Sequence, residues 1–204
     1  MTAAQRDAIT ATQGLIIFCT DCASGEGELQ IKLTSSWKNT IGDDVNDPPP
    51  AIGDTYQGGI IFYLDGNGGG LIAAPSDQSS AAWGCYEQSI GGTSSAVGTG
   101  AANTTAIVSG CSESAIAAKI CADLTLGGYS DWFFPSKDEL NLMYENIGPG
   151  DELGLGDIGN FGSNVYWSST EVEDDVAWSQ DFDDGYQSDD DKDYTYVVRA
   201  VRAF

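Results

Sequence analysis

Gly59-Ile60-Ile61-Phe62-Tyr63-Leu64, then Gly66-Asn67-Gly68-Gly69-Gly70, then Leu71-Ile72-Ala73-Ala74 is the stretch that sets the architecture. Two short apolar runs around a glycine-rich turn read as a β-hairpin. The glycine run lacks the Lys-Ser/Thr ending of a phosphate loop and no helix follows it, so it is turn chemistry only.

Outward from the hairpin the pattern becomes α+β. Gly91 to Thr105 is small and polar and reads as a surface loop. Ser112 or Ser114 then caps a helix with Ile116, Ile120 and Leu124 on one stripe, ended by Gly127-Gly128. Ser136-Lys137-Asp138-Glu139 is a capping box, and Leu140, Met143, Tyr144 and Ile147 follow at helical spacing, so a second helix is expected with that stripe in the core. Gly148 to Gly162 reads as loop, and Val165 to Ser169, Val176 to Phe182 and Tyr194 to Phe204 as closing strands.

Upstream, Thr2-Ala3-Ala4-Gln5 predicts a short capped helix through about Ile9, with strands at Leu15 to Phe18 and Leu29 to Leu33 and Trp37 closing the unit. So small a unit buries too little to stand alone and is expected to dock or oligomerise. Asp43 to Ile52, with Pro48-Pro49-Pro50, reads as a linker. The expected organisation is an attachment segment at 1–42, a linker at 43–52 and one main domain at 53–204.

Composition excludes several functions. The chain has 204 residues, a formal charge of −23 and no histidine. Ser-His-Asp and Cys-His nucleophile systems are therefore absent within one chain, as are His-based metal sites. A nucleic-acid partner is not expected, because phosphate binding needs clustered Lys and Arg. No apolar run approaches the ~20 residues that cross a bilayer, so membrane insertion is not expected. Met1 to Phe18 lacks the features of a secretory signal.

The five cysteines, Cys19, Cys22, Cys85, Cys111 and Cys121, are odd in number and leave at least one unpaired in a monomer. Cys19-Thr20-Asp21-Cys22 lacks the second half of a zinc site and reads as a hairpin-tip pair without metal. Cys121 falls on the apolar side of the first predicted helix, where a thiol acts as a small hydrophobe.

The charge is concentrated near one end, with eleven acidic residues from Glu171 to Asp193 against the single Lys192. Alternation from Trp178 to Asp184 places Trp178, Gln180 and Phe182 inward and Ser179, Asp181 and Asp183 outward. Asp184-Gly185 is a hairpin-turn dipeptide, and little of the polar run Tyr186 to Asp193 is suited to burial. A bare acidic run is usually a solvating patch. Tyr186, Tyr194 and Tyr196, interleaved with Ser and Asp, instead match the chemistry of binding loops, in which tyrosine adds contact area at low entropic cost.

Several motifs in order carry a family resemblance: Gly58-Gly59-Ile60-Ile61-Phe62-Tyr63, Leu71-Ile72-Ala73-Ala74-Pro75, Trp83-Gly84-Cys85, Tyr129-Ser130-Asp131-Trp132, Pro135-Ser136-Lys137-Asp138-Glu139-Leu140, Tyr166-Trp167-Ser168-Ser169-Thr170-Glu171 and Val198-Arg199-Ala200-Val201-Arg202. Together they resemble the Lcl C-terminal domain family. The resemblance implies an α+β, C-type-lectin-like domain with two helices and antiparallel sheets, preceded by the helix-plus-hairpin unit.

The C-terminal region is similar to variable proteins of diversity-generating retroelements, in which adenine-directed mutagenesis diversifies a binding face. Trp178, Gln180, Phe182, Gly185, Gln187 and Lys192 match the scaffold of that pattern. Asp, Ser and Tyr codons each lie one adenine substitution from Asn codons, and no Asn follows Asn164. The contact residues this implies are Asp174, Asp175, Trp178, Ser179, Asp181, Asp183, Asp184, Tyr186, Ser188, Asp189, Asp190, Asp191, Asp193, Tyr194 and Tyr196.

The N-terminal unit resembles segments that precede domains on phage tail fibres, which implies a homo-oligomer, commonly a trimer. The expectation is a receptor-binding display protein on a virion tail fibre or cell surface, with a protein or glycan partner and no catalytic role. Calcium-dependent carbohydrate or surface binding is the alternative, since clustered carboxylates offer hard oxygen ligands. The Asp181 to Gly185 spacing places glycine fifth and not sixth, unlike an EF-hand loop.

Overall fold

The computed structural model describes Thr2, Ala4, Gln5, the segments 16–19, 28–33 and 36–38, and residues 50–204. The chain divides into two units, Met1–Pro49 and Pro50–Phe204.

In the first unit, β1 (Ile16–Cys19), β2 (Glu28–Leu33) and β3 (Ser36–Lys38) form an antiparallel sheet in that order. The expected capping box is present: the Thr2 N–H donates to Gln5 Oε1 at 2.8 Å, and the Gln5 N–H donates to Thr2 Oγ1 at 3.1 Å. Trp37 lies on a third strand. The rest of the expected helix, the Cys19/Cys22 pair and most of the linker lie outside the described residues.

The second unit is α+β. β4 (Thr55–Tyr56), β5 (Gly59–Leu64), β6 (Gly70–Ala73) and β12 (Val201–Ala203) form one sheet, ordered β12-β6-β5-β4. β7 (Ser79–Ala82), β8 (Val165–Glu171), β9 (Val176–Asp181), β10 (Gln187–Asp191) and β11 (Thr195–Val198) form the other, ordered β10-β9-β8-β11-β7. The hairpin with which the sequence opens its fold is β5-β6, and its turn is held by the Asp65 carboxylate, which accepts the N–H groups of Asn67 and Gly69.

Neighbouring residues on these strands enter two different cores. Ile61, Ile72 and Trp167 join Trp83, Ile107, Ile116, Phe134 and Val198, whereas Phe62, Ala73 and Tyr166 join Leu140, Met143, Ile147 and Phe182. Side chains alternate across a strand, so burial on both faces requires apolar residues at successive positions.

Three helices pack on the sheets: α1 (Gly100–Gly110), α2 (Ala117–Ala122) and α3 (Lys137–Ile147). α3 has the expected capping box, with Ser136 and Glu139 each accepting the other's backbone N–H. α1 replaces part of the expected surface loop. Its small residues form a helix because the fold supplies their partners. Buried Asn103 donates to the Ser94 carbonyl and Ser169 Oγ, and buried Thr104 bonds the Gly100 carbonyl and the Phe134 N–H.

α2 is shorter than expected and begins after Ile116, without a serine cap. Its expected glycine stop instead forms a separate turn between Leu126 and Tyr129. The single closing strand expected from Tyr194 to Phe204 is two strands in different sheets, with Arg199 and Ala200 between them.

A buried carboxylate joins these helices. Glu139 is fully buried and accepts the N–H groups of Ser136, Gly98 and Gly100, which places it at the start of both α1 and α3. A negative group is favoured there by the exposed backbone N–H groups. Burial raises the Glu139 pKa, and its hydrogen bonds oppose the shift. A Cβ on Gly100 would stand 2.3 Å from Glu139 Oε2, so this approach needs glycine.

Cys85 and Cys111 form a disulfide that ties the loop after β7 to the end of α1. Cys121 is free and fully buried, and burial pushes its thiol pKa up. It fills space in the core as a small apolar side chain. Both motif arginines are structural. Arg199 pairs with Asp77 at 2.7 Å, donates to the carbonyls of Ala74 and Gly159, and lies over Phe161. Arg202 binds Asp131 and Gln57 and lies over Tyr129.

Candidate functional site

The acidic segment is a ribbon on the edge of the five-stranded sheet. β9 pairs with β10 from Val176↔Asp191 to Gln180↔Gln187. Residues paired across strands share a face, so Ser188 opposes Ser179, Asp190 opposes Ala177 and Asp189 opposes Trp178. The turn carries Gly185 at φ +82°, where a Cβ would meet the Tyr144 ring at 2.6 Å. Asp181 and Asp184 accept the N–H groups of Asp183 and Tyr186, fixing the tip through local side-chain turns.

The simple inward/outward alternation needs correction at two residues. Ser179 is buried at 1% exposure, while Trp178 is half-buried at the surface. Both faces of β9 are covered. On one, Gln180 donates to Asn141 of α3, and Phe182 packs edge-on against Tyr144. On the other, Ala177 enters the core of Trp167, and Ser179 donates to Asp190 of the neighbouring β10 at 2.5 Å. Trp178 lies near the start of α3, where Lys137 Nζ stands 3.2 Å from its ring centroid.

The polar run Tyr186 to Asp193, expected to stay outside, also contains a fully buried residue. Lys192 donates to Glu171 at 2.7 Å, to the Asp174 carbonyl at 2.8 Å and to the Gln88 carbonyl at 3.1 Å, satisfying all three of its N–H bonds. The Glu171 carboxylate also accepts the N–H groups of Ile90 and Gly91. Burial alone would raise the Glu171 pKa, but the Ile90 N–H, the Lys192 ammonium and the Gly91 N–H outweigh it and hold the carboxyl below its ordinary range.

Of the remaining contact candidates, Asp174, Asp183, Asp184, Tyr186, Asp189, Asp193 and Tyr194 are exposed, Tyr186 to 68%. Asp175, Asp181, Ser188, Asp190, Asp191 and Tyr196 are half-buried. The Tyr194 and Tyr196 rings are 6.0 Å apart, and Tyr196 also packs on Trp167 at 4.7 Å. The negative charge of Asp191 raises the Tyr194 pKa. Burial, followed by the Asp190 charge, raises that of Tyr196.

Sequence reasoning missed Tyr86. It lies in the loop after β7, is 42% exposed, and has its pKa raised chiefly by Asp191. No local pattern joins positions so far apart in the chain. The carboxylates of Glu173, Asp174 and Asp175 lie within 4.8 Å of one another at the turn between β8 and β9. A shallow groove of about 310 Å³ between α1 and residues 131–133, lined by Thr104, Val108, Trp132 and Phe133, contains none of the ribbon residues.

Among curated proteins, none matches the chain. The family model for the Lcl C-terminal domain matches residues 77–202, which takes in α1, α2, α3, β7 to β11 and the whole ribbon. More than half of the chain is covered, and the protein belongs to the Lcl C-terminal domain family.

Proposed function

We propose that this chain is a receptor-binding display protein, the tip of a phage tail fibre or surface adhesin, and that the ribbon from Asp174 to Tyr196 is its contact face. The carrying observation is the division of labour along the ribbon. Gln180, Phe182, Gly185 and Lys192 are committed to packing or backbone geometry, while Asp183, Asp184, Tyr186 and Asp189 stand exposed between them and Asp193 and Tyr194 just beyond. Apart from Asp184, whose carboxylate also accepts the Tyr186 N–H at the tip, side chains of the second kind can be exchanged without disturbing the first. That property suits diversification by a retroelement. In this reading the domain is C-type-lectin-like, the first unit attaches it to a trimeric carrier, the partner is a protein or glycan on another surface, and no catalysis is involved.

The test replaces Asp183, Asp184, Tyr186, Asp189, Asp193 and Tyr194 in combination and measures both partner capture and thermal stability. Partner choice should change while each exposed substitution alters stability by no more than about 0.5 kcal/mol. Unfolding on these exchanges would defeat the proposal. Calcium-dependent carbohydrate or surface binding is a second reading, favoured by the Glu173, Asp174 and Asp175 group. Calorimetric titration with calcium, showing neither heat nor a thermal shift, would dismiss it.

A further inference from the structure

The ribbon's acids outnumber the basic side chains beside them, Lys137 and Lys192. Residues 50–204 contain five basic side chains: Lys119, Lys192, Arg199 and Arg202 are ion-paired with Asp123, Glu171, Asp77 and Asp131, and Lys137 lies over the Trp178 ring. The remaining negative charge makes this face complementary to a positively charged partner.

The loop carrying Tyr86 is fastened to the ribbon. The Gly84 N–H donates to the Lys192 carbonyl at 3.3 Å, Lys192 Nζ reaches the Gln88 carbonyl, and the Cys85–Cys111 disulfide secures the same loop. Tyr86 is thus presented from stiff support at 42% exposure. The Tyr194 N–H donates to the Asp191 carbonyl at 2.9 Å, and with the Gly84–Lys192 bond this sets the turn carrying Asp191 and Tyr194 beside the loop carrying Tyr86, where the Asp191 charge raises the pKa of both phenols. Tyr196 and Asp190 continue the surface beside Tyr194.

We infer that Tyr86, Asp191 and Tyr194 form the centre of the contact face and receive an arginine side chain from a basic protein partner. This rests on the display reading and adds a residue outside the C-terminal ribbon. A guanidinium matches a carboxylate through paired N–H bonds, lies against aromatic faces, and loses less hydration than an ammonium. A neutral glycan gains nothing from the charge. Lysine gains the charge without the planar match.

The test titrates the full chain with hexa-arginine and hexa-lysine peptides at physiological salt, using calorimetry. Wild-type protein should bind hexa-arginine more tightly than hexa-lysine. Tyr86→Ala, which leaves the charge unchanged, and Asp191→Asn should each weaken hexa-arginine roughly two- to fivefold. Asp184→Asn at the ribbon tip changes the charge equally and should weaken it less than about twofold. Circular dichroism melts confirm that each variant is folded, and Tyr86→Phe should retain the affinity.

Equal losses in Asp184→Asn and Asp191→Asn, no loss in Tyr86→Ala, or no preference for arginine would overturn the inference. If partner choice still changes on exchanging the ribbon's exposed residues, the display reading survives that failure. Unfolding on those exchanges would sink the display reading and this inference with it.

Discussion

Lys192→Met tests how the ribbon is anchored. The substitution removes an ammonium that satisfies the Glu171 carboxylate and two carbonyls, while preserving most of the side-chain volume. Glu171 remains with a side-chain exposure of 4% and only backbone donors to hold its charge. Breaking a buried pair by removing one partner typically costs about 3–5 kcal/mol. For a unit of this size, that corresponds to a fall in Tm of about 6–20 °C. Lys192→Met/Glu171→Gln removes both charges and should recover much of the loss, because the stranded carboxylate is gone. Urea unfolding followed by tryptophan fluorescence would measure all three proteins. A cost below about 1 kcal/mol for Lys192→Met, as for an exposed pair, would refute the reasoning. So would a double variant less stable than the single one.

The same pair sets a pH response. The folded state holds the Glu171 proton less readily than the unfolded chain, so its contribution is present above the ordinary glutamate value and fades as pH falls through the lowered one. Acid titration of stability should show this loss in wild-type protein and a reduced loss in Glu171→Gln. Gly185→Ala places a side chain at φ +82° and 2.6 Å from the Tyr144 ring, so it should cost about 1–3 kcal/mol in chemical denaturation. Replacing Cys85 and Cys111 by serine opens a loop of sequence separation 26 and should lower stability by about 3–4 kcal/mol in the same assay. Sequencing the neighbouring DNA tests retroelement diversification: a near-identical copy of the segment encoding Asp174 to Tyr196, with adenines at the differing bases and a reverse transcriptase gene nearby, is expected. A neighbourhood lacking both would remove the support for that part of the proposal.

The sequence by itself determined the features whose causes are local. The Thr2/Gln5 and Ser136/Glu139 capping boxes, the β5-β6 hairpin and the Asp184-Gly185 turn each depend on residues a few positions apart. Tertiary structure decided whatever depends on a distant partner. α1 forms from residues of weak helical character because Asn103 and Thr104 find partners on other elements. Ser179 is buried and Trp178 is not, because the Ser179 face of β9 carries Ala177 into the core while α3 covers only part of the Trp178 face. Lys192, the one basic residue among the ribbon's acids, is drawn inside by Glu171, and Tyr86 reaches the ribbon only through contacts that local periodicity does not encode. Alternation assigns opposite directions to adjacent side chains, but long-range packing decides which direction leads to water.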